Sequence, residues 1–159
     1  MSAHEFAFDT IDGAPMPLAQ YRGKVLLVVN TASHCGLTPQ YEGLEALYRR
    51  FRDSGLVVIG VPANDFGMQE PGTAAEIKSF CTTKFSVDFP LAAKERVVGG
   101  EAHPFYKWAV TQLGEGAAPK WNFHKYLIGK DGELAGVFSS RHDPNAPDLV
   151  EAVEAALAK

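Results

Sequence analysis

The chain has 159 residues, of which 46% are hydrophobic and 21% charged, with a formal net charge of -4. This composition is ordinary for one globular domain spanning residues 1–159. It excludes the basic cluster that nucleic-acid binding needs and the run of roughly 20 apolar residues that a membrane span needs. The N-terminal residues lack the basic and then apolar pattern of a secretory signal, so we expect a cytoplasmic protein.

The first half of the chain alternates strand and helix signals. The dipeptide Asp12-Gly13, between alternating apolar and polar residues, is typical of a tight two-residue hairpin turn. Two continuous apolar runs predict buried strands, and apolar residues at helical spacing between them predict a helix. The predicted elements are a hairpin over 6–21, a strand over 24–30, a helix over about 38–53 and a strand over 56–61.

The second half begins with a helix and closes with a strand pair and a final helix. Thr73 and Glu76 form a capping box that opens a helix ending near Lys84. The later elements are an edge segment over 89–91, a helix from 103, strands over 124–128 and 134–138, and a helix from about 145. This order is typical of an α/β protein with a thioredoxin-like fold, in which helices flank a central mixed sheet, here with an added N-terminal β-hairpin.

Cys35 lies in a polar loop after the first long strand. Thr38 is suited to cap the following helix and Pro39 to its first turn, which places Cys35 near unpaired backbone N–H groups. That environment favours the thiolate, which is the reactive form of cysteine. The alternative is a small buried hydrophobic residue, a common role for free cysteine. The polar neighbours Ser33 and His34 favour an accessible, reactive thiol.

A second loop, over 62–72, follows the second long strand and is rich in turn-forming residues. The carboxyl ends of adjacent parallel strands are where α/β proteins place their chemistry. We therefore expect this loop and the Cys35 loop to face each other.

Three segments resemble the glutathione peroxidase family in its cysteine-containing form. They are NTASHCGLTPQY over 30–41, VPANDFGMQEPGT over 61–73 and KWNFHKYLIGKDGE over 120–133. The segments fall in the family order at family-like spacings, and the resemblance covers nearly the whole chain. It implies a thioredoxin-like fold, with Cys35 as the peroxidatic cysteine and Trp121 and Asn122 around its sulfur.

The residue types at Trp121 and Asn122 suit that implied role. An indole N–H and an amide NH₂ donate hydrogen bonds without negative charge, so they stabilise a thiolate and a developing alkoxide. Without the resemblance, residue type alone would favour an ordinary rim or core aromatic and a loop asparagine bonded to its own backbone.

Cys81 allows two interpretations. Its position on the apolar face of the predicted helix is typical of a buried structural cysteine. The segment FCTTKFSV, over 80–87, resembles the thioredoxin-dependent branch of the family, which implies a resolving cysteine at Cys81. A disulfide requires Cα atoms within about 7 Å, so a resolving Cys81 would require the packed helix to unwind partly.

Asp65 departs from the family pattern, in which we expect a glutamine at this position of an NQFG motif. A carboxylate at about 4 Å from a thiolate would repel it by about 4 kcal/mol at an effective dielectric near 20. Asp65 is therefore protonated, turned away or paired with a cation, or else the activity is impaired. Our hypothesis is that it accepts a proton from the reacting peroxide or thiol through water.

The resemblance implies a thiol peroxidase that reduces hydrogen peroxide and alkyl or lipid hydroperoxides. Cys35 would form a sulfenic acid, Cys81 would condense with it, and thioredoxin or glutathione would restore the thiols. The alternative is a redox sensor or relay, or a peroxidase weakened by Asp65. We expect no cofactor or metal, because the five histidines are scattered. Compared with longer family members, the chain has no extra loop between the middle helices, which resembles the monomeric branch of the family and implies a monomer.

Two other thiol enzyme classes are disfavoured. A peroxiredoxin would carry proline and threonine at the positions of Val28 and Ala32. A disulfide oxidoreductase of the thioredoxin type needs a C-x-x-C pair, and Thr38 occupies the place of the second thiol.

Overall fold

The computed structural model describes residues 1–159 and contains two separate sheets. A small antiparallel hairpin pairs β1 (Ala7–Asp9) with β2 (Pro15–Pro17). The main sheet consists of β3 (Val25–Thr31), β4 (Leu56–Pro62), β5 (Lys125–Ile128) and β6 (Leu134–Phe138). Its strand order is β4-β3-β5-β6, with β3 parallel to β4 and the other two pairs antiparallel. The predicted mixed sheet and N-terminal hairpin are therefore confirmed.

Helices cover both faces of the main sheet. They are α1 (Gln40–Phe51), α2 (Ala74–Phe85), α3 (Pro104–Leu113) and α4 (Pro147–Leu157), with short 3₁₀ turns at Ala3–Glu5, Leu18–Tyr21, Arg52–Ser54 and Glu115–Ala117. Leu26 and Val28 of β3 pack with the hairpin and α3, whereas Leu27 and Val29 pack with α1, α2 and α4. Two buried faces explain why β3 is a continuous apolar run. None of the helices is long and apolar enough to cross a membrane.

The hairpin connection differs from the predicted two-residue turn. It spans residues 10–14, with Gly13 at φ +91°. Thr10 forms an isolated antiparallel bridge with Ala92, and Leu91 bridges Gly60 of β4. Thr10, at the start of the connection, thus pairs with the segment along the sheet edge. That segment, predicted as an edge over 89–91, is thereby attached to both sheets.

Glu45 of α1 holds the chain that leaves α2. Its buried Oε1 accepts hydrogen bonds from the backbone N–H groups of Asp88 (2.8 Å) and Phe89 (3.4 Å). Its other oxygen pairs with Arg49, one turn later on the same helix. The end of α2 is thus tied to α1 by one carboxylate.

We expect Glu45→Ala to lower the free energy of unfolding by about 2–3 kcal/mol, because the N–H groups of Asp88 and Phe89 lose a charged acceptor. Denaturant unfolding of the variant against the wild type measures the change. Glu42→Ala is the matched control, since Glu42 is exposed on the same helix and should stay within about 0.5 kcal/mol. Equal effects of the two substitutions would contradict the assigned role of Glu45.

Candidate active site

The loop that carries Cys35 is closed by Thr38. The Thr38 hydroxyl accepts a hydrogen bond from the Cys35 N–H (2.9 Å) and donates one to the Ala32 carbonyl (2.8 Å). The prediction that Thr38 caps the helix is wrong, because this hydroxyl is engaged inside the loop and α1 begins at Gln40 after an uncapped Pro39.

The Cys35 sulfur accepts a main-chain hydrogen bond. The Leu37 N–H donates to Cys35 Sγ at 3.3 Å, and Cys35 is partly exposed beside an exposed His34. A backbone N–H favours the charged form of a sulfur that it contacts. The predicted proximity of Cys35 to backbone donors is confirmed, although the donor comes from the loop rather than from a capped helix.

Gln69 connects the Cys35 loop to Asn122. Its backbone carbonyl accepts from the His34 N–H (3.0 Å), and its side-chain Oε1 accepts from Asn122 Nδ2 (2.9 Å). The prediction that the two loops face each other is therefore confirmed. Sequence reasoning missed Gln69, although it is the single glutamine of the second loop and lies in the MQEPG segment.

The segment that carries Trp121 and Asn122 is fixed by Asn30 at the end of β3. Asn30 Nδ2 donates to the Trp121 carbonyl (3.0 Å), and the Asn30 carbonyl accepts from the Phe123 N–H (2.6 Å). Asn122 is fully buried, whereas Trp121 is 37% exposed with its ring 5.9 Å from that of Phe66. Asn30 gave no sequence signal, since it reads as an ordinary strand-end residue.

Asp65 is paired with a cation, which is one of the arrangements expected for it. Its Oδ1 accepts from Arg96 Nε and its Oδ2 accepts from the Val97 N–H (2.6 Å), and the side chain is 4% exposed. None of these hydrogen bonds involves Cys35, Asn122 or Gln69. Both Asp65 oxygens already bind the segment after residue 95, which disfavours the hypothesis that Asp65 takes a proton from the reacting groups. The only side-chain amide that hydrogen-bonds to Asn122 is that of Gln69.

Glu70, the residue after Gln69, lies beneath the site. Its Oε1 accepts from the Ser33 N–H (3.2 Å), and its own N–H donates to Asn64 Oδ1 (2.9 Å). Burial raises the pKa of Glu70, and hydrogen bonds from Ser33 oppose that rise. Glu70 thus joins the two loops a second time, directly below Gln69.

Cys81 lies inside the packed face of α2, among the buried residues between β3, α1 and α4. Its side chain is fully buried, and both cysteines are free thiols. Burial raises the pKa of Cys81 to about 11, the neighbouring Tyr41 hydroxyl lowers it, and the charge of Glu70 raises it. Cys81 is therefore an inert thiol in this conformation.

Neutral hydrogen-bond donors lie on the segments that meet at Gln69, whereas the carboxyl group of Glu70 accepts from the Ser33 N–H of the Cys35 loop. The backbone N–H of Leu37, the amides of Gln69 and Asn122 and the exposed indole of Trp121 carry no negative charge. Such donors can stabilise an anionic sulfur and the oxygen anion released from a peroxide. No cluster of three or more His, Cys, Asp or Glu side chains is placed to hold a metal ion.

Comparison with known proteins agrees with this geometry. The model of the family described as "Glutathione peroxidase" matches residues 3–110. The chain belongs to the glutathione peroxidase family. A relative in Synechocystis, named hydroperoxy fatty acid reductase, is 47% identical over 148 residues, with 88% of each chain covered. Family membership confirms the predicted class of enzyme, a peroxidase.

Solved structures confirm the predicted fold of this peroxidase. The crystal structure titled "Trgpx in apo form" is 35% identical, with a TM-score of 0.81 over 100% of this chain and 97% of that chain. A thioredoxin-family thiol:disulfide interchange protein from Chlorobium tepidum superimposes with a TM-score of 0.73 over 99% of this chain and 96% of that chain, at 18% identity. The thioredoxin-like fold is therefore confirmed.

The two thiols should differ strongly in alkylation. In the native reduced protein at pH 8, iodoacetamide should modify Cys35 and leave Cys81 unmodified, because a thiol with a pKa of about 11 is almost wholly protonated there. Cys81 labelling should rise as the pH approaches 11, and it should be complete at pH 8 in denaturant. Peptide mass spectrometry measures each site. Equal native labelling of both thiols at pH 8 would contradict the burial of Cys81.

Gln69 and Asp65 should affect peroxide reduction unequally. Gln69→Ala should slow the oxidation of Cys35 by about 10- to 100-fold, because Asn122 loses its partner and the site loses an amide. Asp65→Asn should change that rate by less than about threefold, equivalent to well under 1.4 kcal/mol, while lowering the free energy of unfolding by about 1–3 kcal/mol. Stopped-flow oxidation and denaturant unfolding measure the two effects. If Asp65→Asn slowed the oxidation of Cys35 more than Gln69→Ala did, the result would place Asp65 at the sulfur.

Proposed function

We propose that this chain is a thiol peroxidase in which Cys35 is the peroxidatic cysteine. The observation that carries the proposal is the hydrogen-bonded arrangement of a partly exposed sulfur, a Leu37 N–H on that sulfur, and a Gln69-Asn122 amide pair joined to the same loop. It unites an accessible nucleophile with neutral donors, which is the requirement for thiolate attack on a peroxide.

The first step oxidises the sulfur by two electrons. The Cys35 thiolate attacks the terminal oxygen of the hydroperoxide, the S–O bond forms and the O–O bond breaks. The released alkoxide takes up a proton and leaves as an alcohol, or as water when the substrate is hydrogen peroxide. Cys35 becomes a sulfenic acid. The amides of Gln69 and Asn122 and the indole of Trp121 are suited to stabilise the departing oxygen.

The substrates include alkyl and lipid hydroperoxides as well as hydrogen peroxide. Met68 is 74% exposed and Trp121 37% exposed, and Phe66 packs against Trp121 beside them. These side chains form an apolar surface on the two segments that meet at Gln69. An acyl chain would bury part of that surface when its peroxide group reaches Cys35.

Cys81 resolves the sulfenic acid in the second step. The Cys81 thiol loses its proton, its thiolate attacks the Cys35 sulfur, and the S–S bond forms as the S–O bond breaks. The hydroxide that leaves takes up a proton and becomes water. Because Cys81 is fully buried, the carboxyl-terminal half of α2 must open first. A dithiol protein such as thioredoxin then restores both thiols by exchange, with glutathione as the alternative donor.

This cycle suits a monomer in a reducing compartment such as the cytoplasm. All of the proposed reacting groups come from one chain, and both cysteines are thiols in the resting protein. A reducing pool of thiols maintains that resting state.

Stopped-flow oxidation by hydrogen peroxide and an alkyl hydroperoxide, followed by turnover assays with thioredoxin or glutathione, tests the proposal. Cys35→Ser should abolish oxidation. Cys81→Ser should leave the first oxidation unchanged and abolish turnover supported by thioredoxin, because the sulfenic acid has no internal partner. Thr82→Ser, at an exposed neighbouring position on α2, is the matched control and should keep both steps.

Two results would count against this function. Slow oxidation of Cys35 by every peroxide would leave a redox sensor or relay rather than a peroxidase. Full turnover of Cys81→Ser with thioredoxin would remove Cys81 from the cycle and make it a structural residue of α2.

A further inference from the structure

Lys125 is a lysine buried in the middle of the protein without a carboxylate partner. It is fully buried at the start of β5, and none of the ion pairs in the structure includes it. Lysine is almost never fully buried unless it is paired. Burial lowers the pKa of Lys125 to about 7, an effect that the charge of Asp143 opposes. Because an ammonium group without a carboxylate partner is unfavourable to bury, we infer that Lys125 has a specific role.

The partners of Lys125 are three main-chain carbonyls. Nζ donates to the Phe123 carbonyl at 2.6 Å and to the carbonyls of Ser139 and Ser140 at 3.3 Å each. An ammonium group has three N–H donors, so each donor has one acceptor. The three carbonyls favour the protonated form and would be left without a donor if the side chain were apolar.

These carbonyls belong to segments that support the active site. Phe123 directly follows Asn122, and Ser140 follows β6. The Ser140 carbonyl also accepts a hydrogen bond from Gln40 Nε2 (2.7 Å), at the start of the helix after the Cys35 loop. One ammonium therefore joins the Asn122 segment to the chain that contacts the first residue of α1.

The backbone of Phe123 is strained and needs this support. Its φ is +67°, a left-handed conformation that bulky residues adopt rarely. Such a conformation persists only when the surrounding structure fixes it from several sides. Here the Asn30 carbonyl holds the Phe123 N–H and Lys125 holds the Phe123 carbonyl. The direction of the Asn122 side chain depends on both of these hydrogen bonds of Phe123.

We propose that Lys125 is a positioning residue of the peroxidase site, which holds the Phe123 backbone so that the Asn122 amide stays on Gln69. This inference rests on the proposed function, since it concerns the rate at which Cys35 is oxidised. Lys125 acts through Asn122 and contacts neither the peroxide nor the sulfur. Loss of its ammonium releases the Phe123 carbonyl, the left-handed residue relaxes, and the Asn122 amide leaves its partner.

The test compares Lys125→Met with Lys120→Met. Methionine fills a similar volume without donors, so Lys125→Met should slow the oxidation of Cys35 by hydrogen peroxide about tenfold or more, as expected for a displaced donor. Lys120 is the matched control, because it is exposed, directly precedes Trp121 and donates only to the Gly116 carbonyl. Its replacement should leave the rate unchanged. An unchanged rate in Lys125→Met would overturn the inference.

A double-mutant cycle with Asn122→Ala separates positioning from general support of the fold. Once the amide has been removed, Lys125→Met should slow oxidation by less than about twofold more, because coupled residues are not additive. A lysine that only supports the fold would reduce the rate by the same factor in both backgrounds. That additive result would overturn the inference.

Two further outcomes are informative. If Lys125→Met does not fold, Lys125→Gln, which keeps an amide donor, takes its place and should show a smaller loss with the same non-additivity. Failure of both variants to fold would assign Lys125 to the fold and overturn the inference. Slow oxidation of the wild-type protein would instead refute the proposed function, whereas a fast wild type with an unaffected Lys125→Met refutes the inference alone.

Discussion

The two hydrogen bonds of Gln69 are the interaction on which the site depends. The backbone carbonyl binds the residue before Cys35, and the side chain binds Asn122, so one residue sets the relation between two distant segments. Gln69 reaches this position because the chain turns sharply at Gly67 and Met68, both with positive φ (65° and 52°). The strain at Met68, which has a Cβ, is concentrated beside the reactive loop, where strained residues commonly occur. The geometry of the site thus follows from this backbone turn together with the Gln69 side chain that reaches Asn122.

The distribution of charge explains how an acidic loop can support an anionic sulfur. Asp65 and Glu70 flank the turn that presents Gln69. The Asp65 carboxylate accepts hydrogen bonds from Arg96 and Val97, and the Glu70 carboxyl group accepts one from the Ser33 N–H. A carboxylate at about 4 Å from a thiolate would oppose it by about 4 kcal/mol at an effective dielectric near 20. Pairing Asp65 with Arg96 compensates its charge locally. The donors of the proposed site, which are the Leu37 N–H and the amides of Gln69 and Asn122, are neutral.

The sequence predicted the elements whose signals are local and missed those that depend on tertiary contacts. Continuous apolar runs predicted β3 and β4, and the Thr73-Glu76 capping box predicted the start of α2 within one residue, with both of its hydrogen bonds present. The NQFG motif points to position 65 as the site of an amide side chain. The motif cannot show that the chain turns at Gly67, so that the side chain of Gln69 hydrogen-bonds to Asn122. The burial of Lys125 likewise has no signal in the sequence, because a lysine in a strand ordinarily indicates an exposed position. Its carbonyl partners come together only when the chain folds.

The unequal burial of the two cysteines imposes an order on the proposed cycle. Cys35 is open to a small oxidant in the folded protein, whereas Cys81 must leave a face of α2 on which only it and Ile77 are fully buried. The amino end of α2 is fixed by its capping box, and its carboxyl end stops at Ser86 in a left-handed conformation. Opening from the carboxyl end would free Cys81 while the capping box stays intact, but it must break the hydrogen bonds that Glu45 accepts from the Asp88 and Phe89 N–H groups. Local unfolding of this kind needs less free energy than global unfolding. In the proposed cycle Cys81 therefore reacts only after these turns have opened, and their stability determines how long the sulfenic acid persists.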